Sequence, residues 1–219
     1  MVSTGAQEPG ITVGIADRQQ EVSGYLNGQF LAEGAGLTSG PFHARADTSG
    51  IAFFGEGQHP ITRSSFIRLA AREGSTFKIS GVTIGIRFHW ERKEDQVFQG
   101  NLVLRAREDN SIAVINEIPL EDYLVSVISS EMSGQAPEEF LKAHAIMSRS
   151  WLLAALDQKN TSASAPVPAS GTMPKGAEDH PELVRWYNRE DHDIFDVCAD
   201  DHCQRYQGIT KIVSARAHR

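Results

Sequence analysis

Pro119-Leu120-Glu121-Asp122-Tyr123-Leu124-Val125-Ser126-Val127-Ile128-Ser129-Ser130-Glu131-Met132 is the stretch where the chain changes period. Upstream of it, short apolar runs alternate or cluster in the manner of strands. Within it, Leu120, Tyr123, Leu124, Val127 and Ile128 recur at spacings of three and four, which sets them on one face of a helix. Glu131 comes three residues after Ile128 and four after Val127, so it continues the apolar face. A carboxyl group taken out of water resists ionisation, and a general acid must hold its proton until it is needed. The other reading is that Glu131 closes the last turn of the helix and sees water.

Working outward toward the N-terminus, the strand candidates are 11–15, 21–26, 51–54, 77–79, 82–86, 102–104 and 112–115, each bounded by Gly, Asn, Asp or Ser. Asp109-Asn110 between the last two predicts a hairpin turn. Residues 1–10 read as a flexible start and 11–116 as a β-rich region. Toward the C-terminus, Pro119 suits a first helical position, and Glu121 and Asp122 complement the helix dipole. Ser133-Gly134-Gln135 breaks that helix, and Pro137 opens a second one reaching about Gln158. This second helix is apolar on almost every side, which predicts burial all round. Residues 161–176, rich in Ser, Ala, Pro and Gly, predict a loop or linker, and 182–188 a helical turn. The expected fold class is α+β: a β-rich N-terminal part, then a helical segment carrying Glu131.

Composition narrows the function classes. The chain has 219 residues, enough for one larger or two small domains. A formal net charge of −7 argues against a nucleic-acid surface. No apolar run approaches the roughly 18 residues of a membrane-spanning helix. The opening residues have neither a basic start nor an apolar core, so no secretory signal is present in this chain. Two cysteines, Cys198 and Cys203, cannot make a disulfide framework. With His192 and His202 they can supply four zinc ligands, since zinc takes thiolate and imidazole in a tetrahedron. A disulfide between Cys198 and Cys203, or two free thiols, are the rival readings.

Other polar residues stand out. Arg149 sits in the apolar second helix, where a charge must find a partner. It either orients Glu131 or contacts substrate, or pairs structurally with Glu121 or Glu117. His144 and Ser148 read as satisfied core polar groups, and Asp200 and Asp201 as solvated loop charges. His89-Trp90, at the end of a strand, reads more readily as core than as a sugar-stacking surface.

Ile118-Pro-Leu-Glu-Asp-Tyr-Leu124, Ser130-Glu-Met132, Pro137-Glu-Glu-Phe-Leu-Lys-Ala-His-Ala145 and Ser148-Arg-Ser150 together resemble the SpoIID/LytB family. So does Val197-Cys-Ala-Asp-Asp-His-Cys-Gln-Arg-Tyr-Gln-Gly208. The resemblance covers about residues 112–208 and marks 117–219 as the family-like region. It implies peptidoglycan lytic transglycosylase chemistry with Glu131 as the single acid/base, and products with anhydro-muramyl ends. The alternative it implies is a non-catalytic wall-binding module that enhances a wall amidase. It further implies substrate contacts at Gln204 and Ser150, a role for Arg149, a structural zinc ion at His192, Cys198, His202 and Cys203, no organic cofactor, and an extracytoplasmic location. Ser133 stands where the family has Pro, Ser150 where it has Thr, and His144 where it has Gln. Family members usually continue well past the segment ending at Gly208, so the resemblance implies an incomplete C-terminal half.

Overall fold

The strand pattern of the first 119 residues folds into one sheet. The computed structural model describes residues 8–86, 88–164 and 192–212. Its strands are β1 (Gly10–Gln19), β2 (Glu21–Ala32), β3 (Gly36–Asp47), β4 (Gly50–Phe54), β5 (Thr62–Ser64), β6 (Phe66–Ala71), β7 (Thr76–Ile84), β8 (Arg92–Gln99), β9 (Asn101–Ala106) and β10 (Ile112–Pro119). Helices α1 (Leu120–Glu131) and α2 (Glu138–Ser164) follow, then a two-residue strand, β11 (Val197–Cys198). The architecture is α+β, as the change of period predicts. Six of the seven expected runs lie wholly in strands and 82–86 runs two residues past the end of β7; β3, β5, β6, β8 and β11 are additional.

The sheet order is β11-β1-β10-β9-β6-β2-β3-β4-β5, with β7 joining β2 to β8. Every pairing is antiparallel except that of β11, which runs parallel to β1. The expected hairpin joins β9 to β10. Asn110 takes a left-handed φ of 57°, and the Asp109 carboxylate accepts the Ser111 N–H at 3.2 Å.

A line of aromatic rings carries the core from the sheet to α1. Phe30 meets Phe77 edge-on, Phe77 stacks on Phe98, Phe98 on Tyr206, and Tyr206 on Tyr123 at 5.2 Å. Tyr123 belongs to the apolar face of α1, together with Leu120, Leu124, Val127 and Ile128, all buried. Pro119 is the N-cap rather than the first helical residue. Glu8 and Pro9, within the stretch expected to be flexible, bind the start of the helix. The Glu8 carboxylate accepts the Glu121 N–H at 2.8 Å, and the Pro9 carbonyl accepts the Leu120 N–H at 3.0 Å.

α2 corrects two expectations. It continues through Ser164, so 161–164 are helical rather than loop; no Gly or Pro occurs there to stop it, the first being Pro166. The rest of the expected linker, and the helical turn at 182–188, lie outside the described residues. Nor is α2 buried all round. Leu141, Ser148 and Leu152 are buried, while Ile146 and Met147 are 67% and 69% exposed. Spacings of seven and four put the buried residues on one stripe. Among the described side chains of α2 only that stripe is buried, and apolar content alone does not tell which side of a helix has a neighbour.

Candidate active site and cysteine–histidine cluster

Glu131 is the last residue of α1, where the chain turns at Met132 toward α2. Its side chain is 25% exposed, between the buried acid and the solvated end that the sequence allows. One carboxylate oxygen, Oε1, accepts the backbone N–H of Arg205 at 3.0 Å. The other, Oε2, lies 3.1 Å from His144 Nε2. That imidazole nitrogen is buried and, despite its closeness, out of hydrogen-bond alignment. His144 lies on the buried stripe, three residues past Leu141 and four before Ser148. Placing the stripe rather than counting apolar residues would have found it.

Arg149 is one position past Ser148 and therefore off the stripe. It does not reach Glu131. Its guanidinium is about half exposed and pairs with Glu121, itself half exposed. This corrects the expectation of a buried arginine beside the acid; of the two partners weighed for a structural pair, Glu121 is the one used. Ser150 is exposed too, and its hydroxyl donates to the Ile146 carbonyl at 2.7 Å, a bond within its own helix. Gln204, expected to contact substrate, is 7% exposed and turned inward. Its Oε1 accepts the Tyr123 hydroxyl at 3.3 Å and its Nε2 donates to the Ser148 carbonyl at 3.5 Å, tying α1 to α2. Burial pushes the Tyr123 phenol well above its usual range, with the Cys203 and Glu131 charges adding to the effect, so it stays a donor.

The segment from His192 to Ile212 has little ladder bonding and is fixed mostly by side chains. The Thr12 N–H and hydroxyl donate to Asp196 Oδ2 at 2.9 and 2.7 Å. Lys159 of α2 donates to the Phe195 carbonyl at 2.7 Å. The Phe195 ring lies against Gly14, where an added Cβ would sit 2.6 Å from it, so the approach requires glycine. Asp200 and Asp201 are not idle: the Asp200 carboxylate accepts the Ile86 N–H at 3.2 Å, and Asp201 pairs with Arg205 at 3.1 Å.

That fastening gathers four side chains. The nearest ligand atoms of His192, Cys198, His202 and Cys203 all lie within 4.8 Å of one another. His192 Nε2 is 3.3 Å from Cys203 Sγ, and His202 Nδ1 is 3.5 Å from Cys203 Sγ and 3.8 Å from Cys198 Sγ. Both cysteines are free, without a disulfide. Contact with Cys203 and burial push the Cys198 thiol well above its usual range. Any cation bound there must therefore displace thiol protons.

Trp90 is not core. It is part-buried, while His89 and Phe88 are exposed, Phe88 by 48%. Phe88 and Trp90 stack at 5.5 Å, and the Arg205 guanidinium lies over the Trp90 ring, 4.8 Å from its centre.

A family model described as SpoIID, stage II sporulation protein, matches residues 108–219, just over half of the chain. The chain belongs to this family, which has a sporulation-related, cell-wall-associated role. No curated protein and no solved structure matches it. Among the described residues, no helix is long and apolar enough to cross a membrane.

Proposed function

We propose that this SpoIID-family chain is a peptidoglycan lytic transglycosylase in the cell envelope, with Glu131 as its single acid/base. The observation that carries the reading is the setting of Glu131: part-buried at a helix end, with Oε1 held by a backbone N–H and Oε2 left beside an imidazole. Among the described residues, no second carboxylate shares its hydrogen bonds. A hydrolytic glycosidase normally needs two carboxyl groups, one of them to activate water or attack the sugar. Transglycosylation within one sugar needs only one.

In the proposed cycle Glu131 gives the proton on Oε2 to the glycosidic oxygen. The C1–O bond breaks with its electron pair going to that oxygen. The C6 hydroxyl of the same muramyl sugar closes on C1, and its proton passes to the Glu131 carboxylate, which restores the acid. The Arg205 N–H steadies the carboxylate in the charged half of the cycle. His144 is a positioning residue that bounds Oε2 by close contact at 3.1 Å, without a hydrogen bond.

The Cys/His cluster fits a structural zinc ion. Zn–N and Zn–S bonds of about 2.0–2.3 Å give a tetrahedron with edges of about 3.3–3.8 Å. The three donor separations quoted above fall in that interval, within a set that spans up to 4.8 Å. Such an ion would pin the segment that ends in Arg205. The second reading, a module that enhances a wall amidase, is supported by the exposed apolar side chains of α2, among them Phe140, Ile146, Met147 and Leu153.

The test is Glu131→Gln, which keeps shape but removes the titrating proton. Cleavage of purified glycan strands should fall by about a hundredfold or more. Turnover unchanged in this variant takes Glu131 out of the mechanism. A wild-type chain that cleaves nothing but accelerates an amidase establishes the second reading.

A further inference from the structure

Among the described residues one hydrogen bond holds Glu131, and it comes from a backbone N–H rather than a side chain. The position of the Arg205 peptide therefore decides where Oε1 sits. Both chain neighbours of Arg205 are anchored in the interior. Gln204 bonds to Tyr123 and Ser148, and Tyr206 stacks on Tyr123 and donates its N–H to the Ala199 carbonyl at 3.0 Å. The Arg205 side chain is anchored elsewhere. Its Nη2 donates to the Asp201 carboxylate oxygens at 3.1 and 3.3 Å, and its guanidinium lies 4.8 Å from the centre of the Trp90 ring.

Trp90 belongs to the loop between β7 and β8, before residue 108 and so outside the stretch matched by the family model. The loop is built to seat the indole. Gly85 has a left-handed φ of 67°, and an added Cβ would lie 2.2 Å from the Trp90 ring, so the ring rests on bare backbone. Phe88 stacks on it at 5.5 Å. Phe88 N–H donates to the Gly85 carbonyl at 2.9 Å, and Glu91 N–H to the Phe88 carbonyl at 3.0 Å. With Gly85, Phe88 and Arg205 against it, the indole is occupied by the protein itself. The loop also grips the chain just before Arg205. Ile86 N–H donates to the Asp200 carboxylate at 3.2 Å, and the Asp200 carbonyl closes a turn by accepting Cys203 N–H at 3.0 Å. Residues 200–205 are thus fastened to the loop at both ends.

We propose that Trp90 is a positioning residue for the acid/base, acting through Arg205 to fix the peptide N–H that holds Glu131. A guanidinium is planar and weakly hydrated, and an indole face attracts it. An arginine side chain free in water samples many rotamers. Pinned at its far end between a carboxylate and an indole, it restrains the Cα beside the N–H that it serves. Misplacing a catalytic group by about 1 Å can cost about a hundredfold in rate. The β-rich N-terminal part is thereby a working component of the site and not only its support. The kinetic side of the inference rests on the reading of Glu131 as the acid/base; the structural side does not.

The test reads amide hydrogen exchange by NMR in the full chain, alongside cleavage of purified glycan strands. In Trp90→Ala the Arg205 N–H should exchange about tenfold faster or more, while the Tyr206 N–H and the amides of β9 and β10 keep their protection. Its kcat should fall about three- to tenfold with KM unchanged. Trp90→Phe keeps an aromatic face for the guanidinium and should restore most of both. Arg205→Met keeps the stem and the backbone N–H but loses the cation. It should be at least as damaging as Trp90→Ala, and adding Trp90→Ala to it should do no further harm. Unchanged exchange at Arg205 in Trp90→Ala overturns the proposal. So does faster exchange spread over Tyr206 and the sheet, which would make Trp90 a general packing residue. A raised KM with kcat kept, or a further loss in the double variant, would mean that Trp90 acts without Arg205, and overturns it too. A wild-type chain that cleaves nothing, with the exchange results as expected, removes the enzyme reading and leaves the Trp90–Arg205 clamp. Cleavage that needs Glu131 but ignores Trp90 does the reverse.

Discussion

The sheet and the segment 192–212 hold their places by different means. From β1 to β10 each strand is paired to a neighbour by backbone ladders, and most of them contribute apolar side chains to one buried core. The later segment makes one two-residue parallel bridge, Val13 opposite Val197 and Gly14 opposite Cys198. Beyond one further backbone bond, Ile209 N–H to the Val97 carbonyl at 2.8 Å, its position comes from particular side chains: Asp196 on Thr12, Phe195 on Gly14, Tyr206 in the aromatic line, and the Cys/His cluster. Backbone ladders tolerate most side chains, whereas a segment fixed by side chains depends on each of them. The segment with little ladder is also the one that delivers the Arg205 N–H to Glu131. The proposed chemistry therefore depends on the least redundant part of the fold.

Removing a cluster ligand is the hardest test of that contrast. With Cys198→Ser, zinc content should fall from about one ion per chain to none, since structural sites of this donor set bind tightly. Hydrogen exchange should speed up across 192–212 while β2, β6 and β9 stay protected. Equal loss of protection in the sheet would erase the contrast, and a metal-free wild-type chain would remove the zinc proposal.

Next in size is His144→Ala, which should lower glycan cleavage about ten- to a hundredfold by freeing Oε2, with little change in melting temperature. His144→Gln should recover most of the activity, because a side chain of similar reach still bounds Oε2. Failure of that rescue would argue against a positioning role.

Tyr206→Phe probes the joint between the two regions. The Tyr206 hydroxyl donates to Asn116 Oδ1 at 2.5 Å, and burial pushes the phenol well above its usual range, so it remains a donor. Asn116 Nδ2 keeps its own bonds to the Gln99 and Asn101 carbonyls at 2.9 and 3.0 Å. The variant strands one buried acceptor, at a cost of about 1–3 kcal/mol. At about 2–4 °C per kcal/mol for a chain of this size, thermal melting will register it. No change would mean that Tyr206 anchors by packing alone.

Arg149→Ala should matter least. Its pair with Glu121 is half exposed on both sides, and such pairs contribute at most about 1 kcal/mol. A large loss of activity with stability kept would return Arg149 to the site.

What the sequence discloses follows the same division. Strands and α1 were legible because burial on one face writes a period, and Glu131 continues that period. The four cluster residues were legible by donor type and closeness in the chain. β3 and β8 were not: β3 contains Gly40 and Pro41 and is largely exposed in its first half, and β8 begins Arg92-Lys93-Glu94-Asp95 at a sheet edge. There the partner strand's backbone, not an apolar pattern, sets the structure. Arg149 was misplaced because an evenly apolar helix hides which side is covered. Trp90 is more exposed and Gln204 more buried than expected for a similar reason: an aromatic at a strand end and an amide beside a cysteine carry no sign of which way they face.

The central claim is that one carboxyl group, Glu131, both donates and recovers the proton. Mass analysis of the products from purified glycan strands tests it most directly. The account predicts 1,6-anhydro-muramyl ends from the wild-type chain, 18 Da lighter than the hydrolytic product because no water is added, and none from Glu131→Gln. Free reducing ends in their place would mean that water is the nucleophile, and would contradict it.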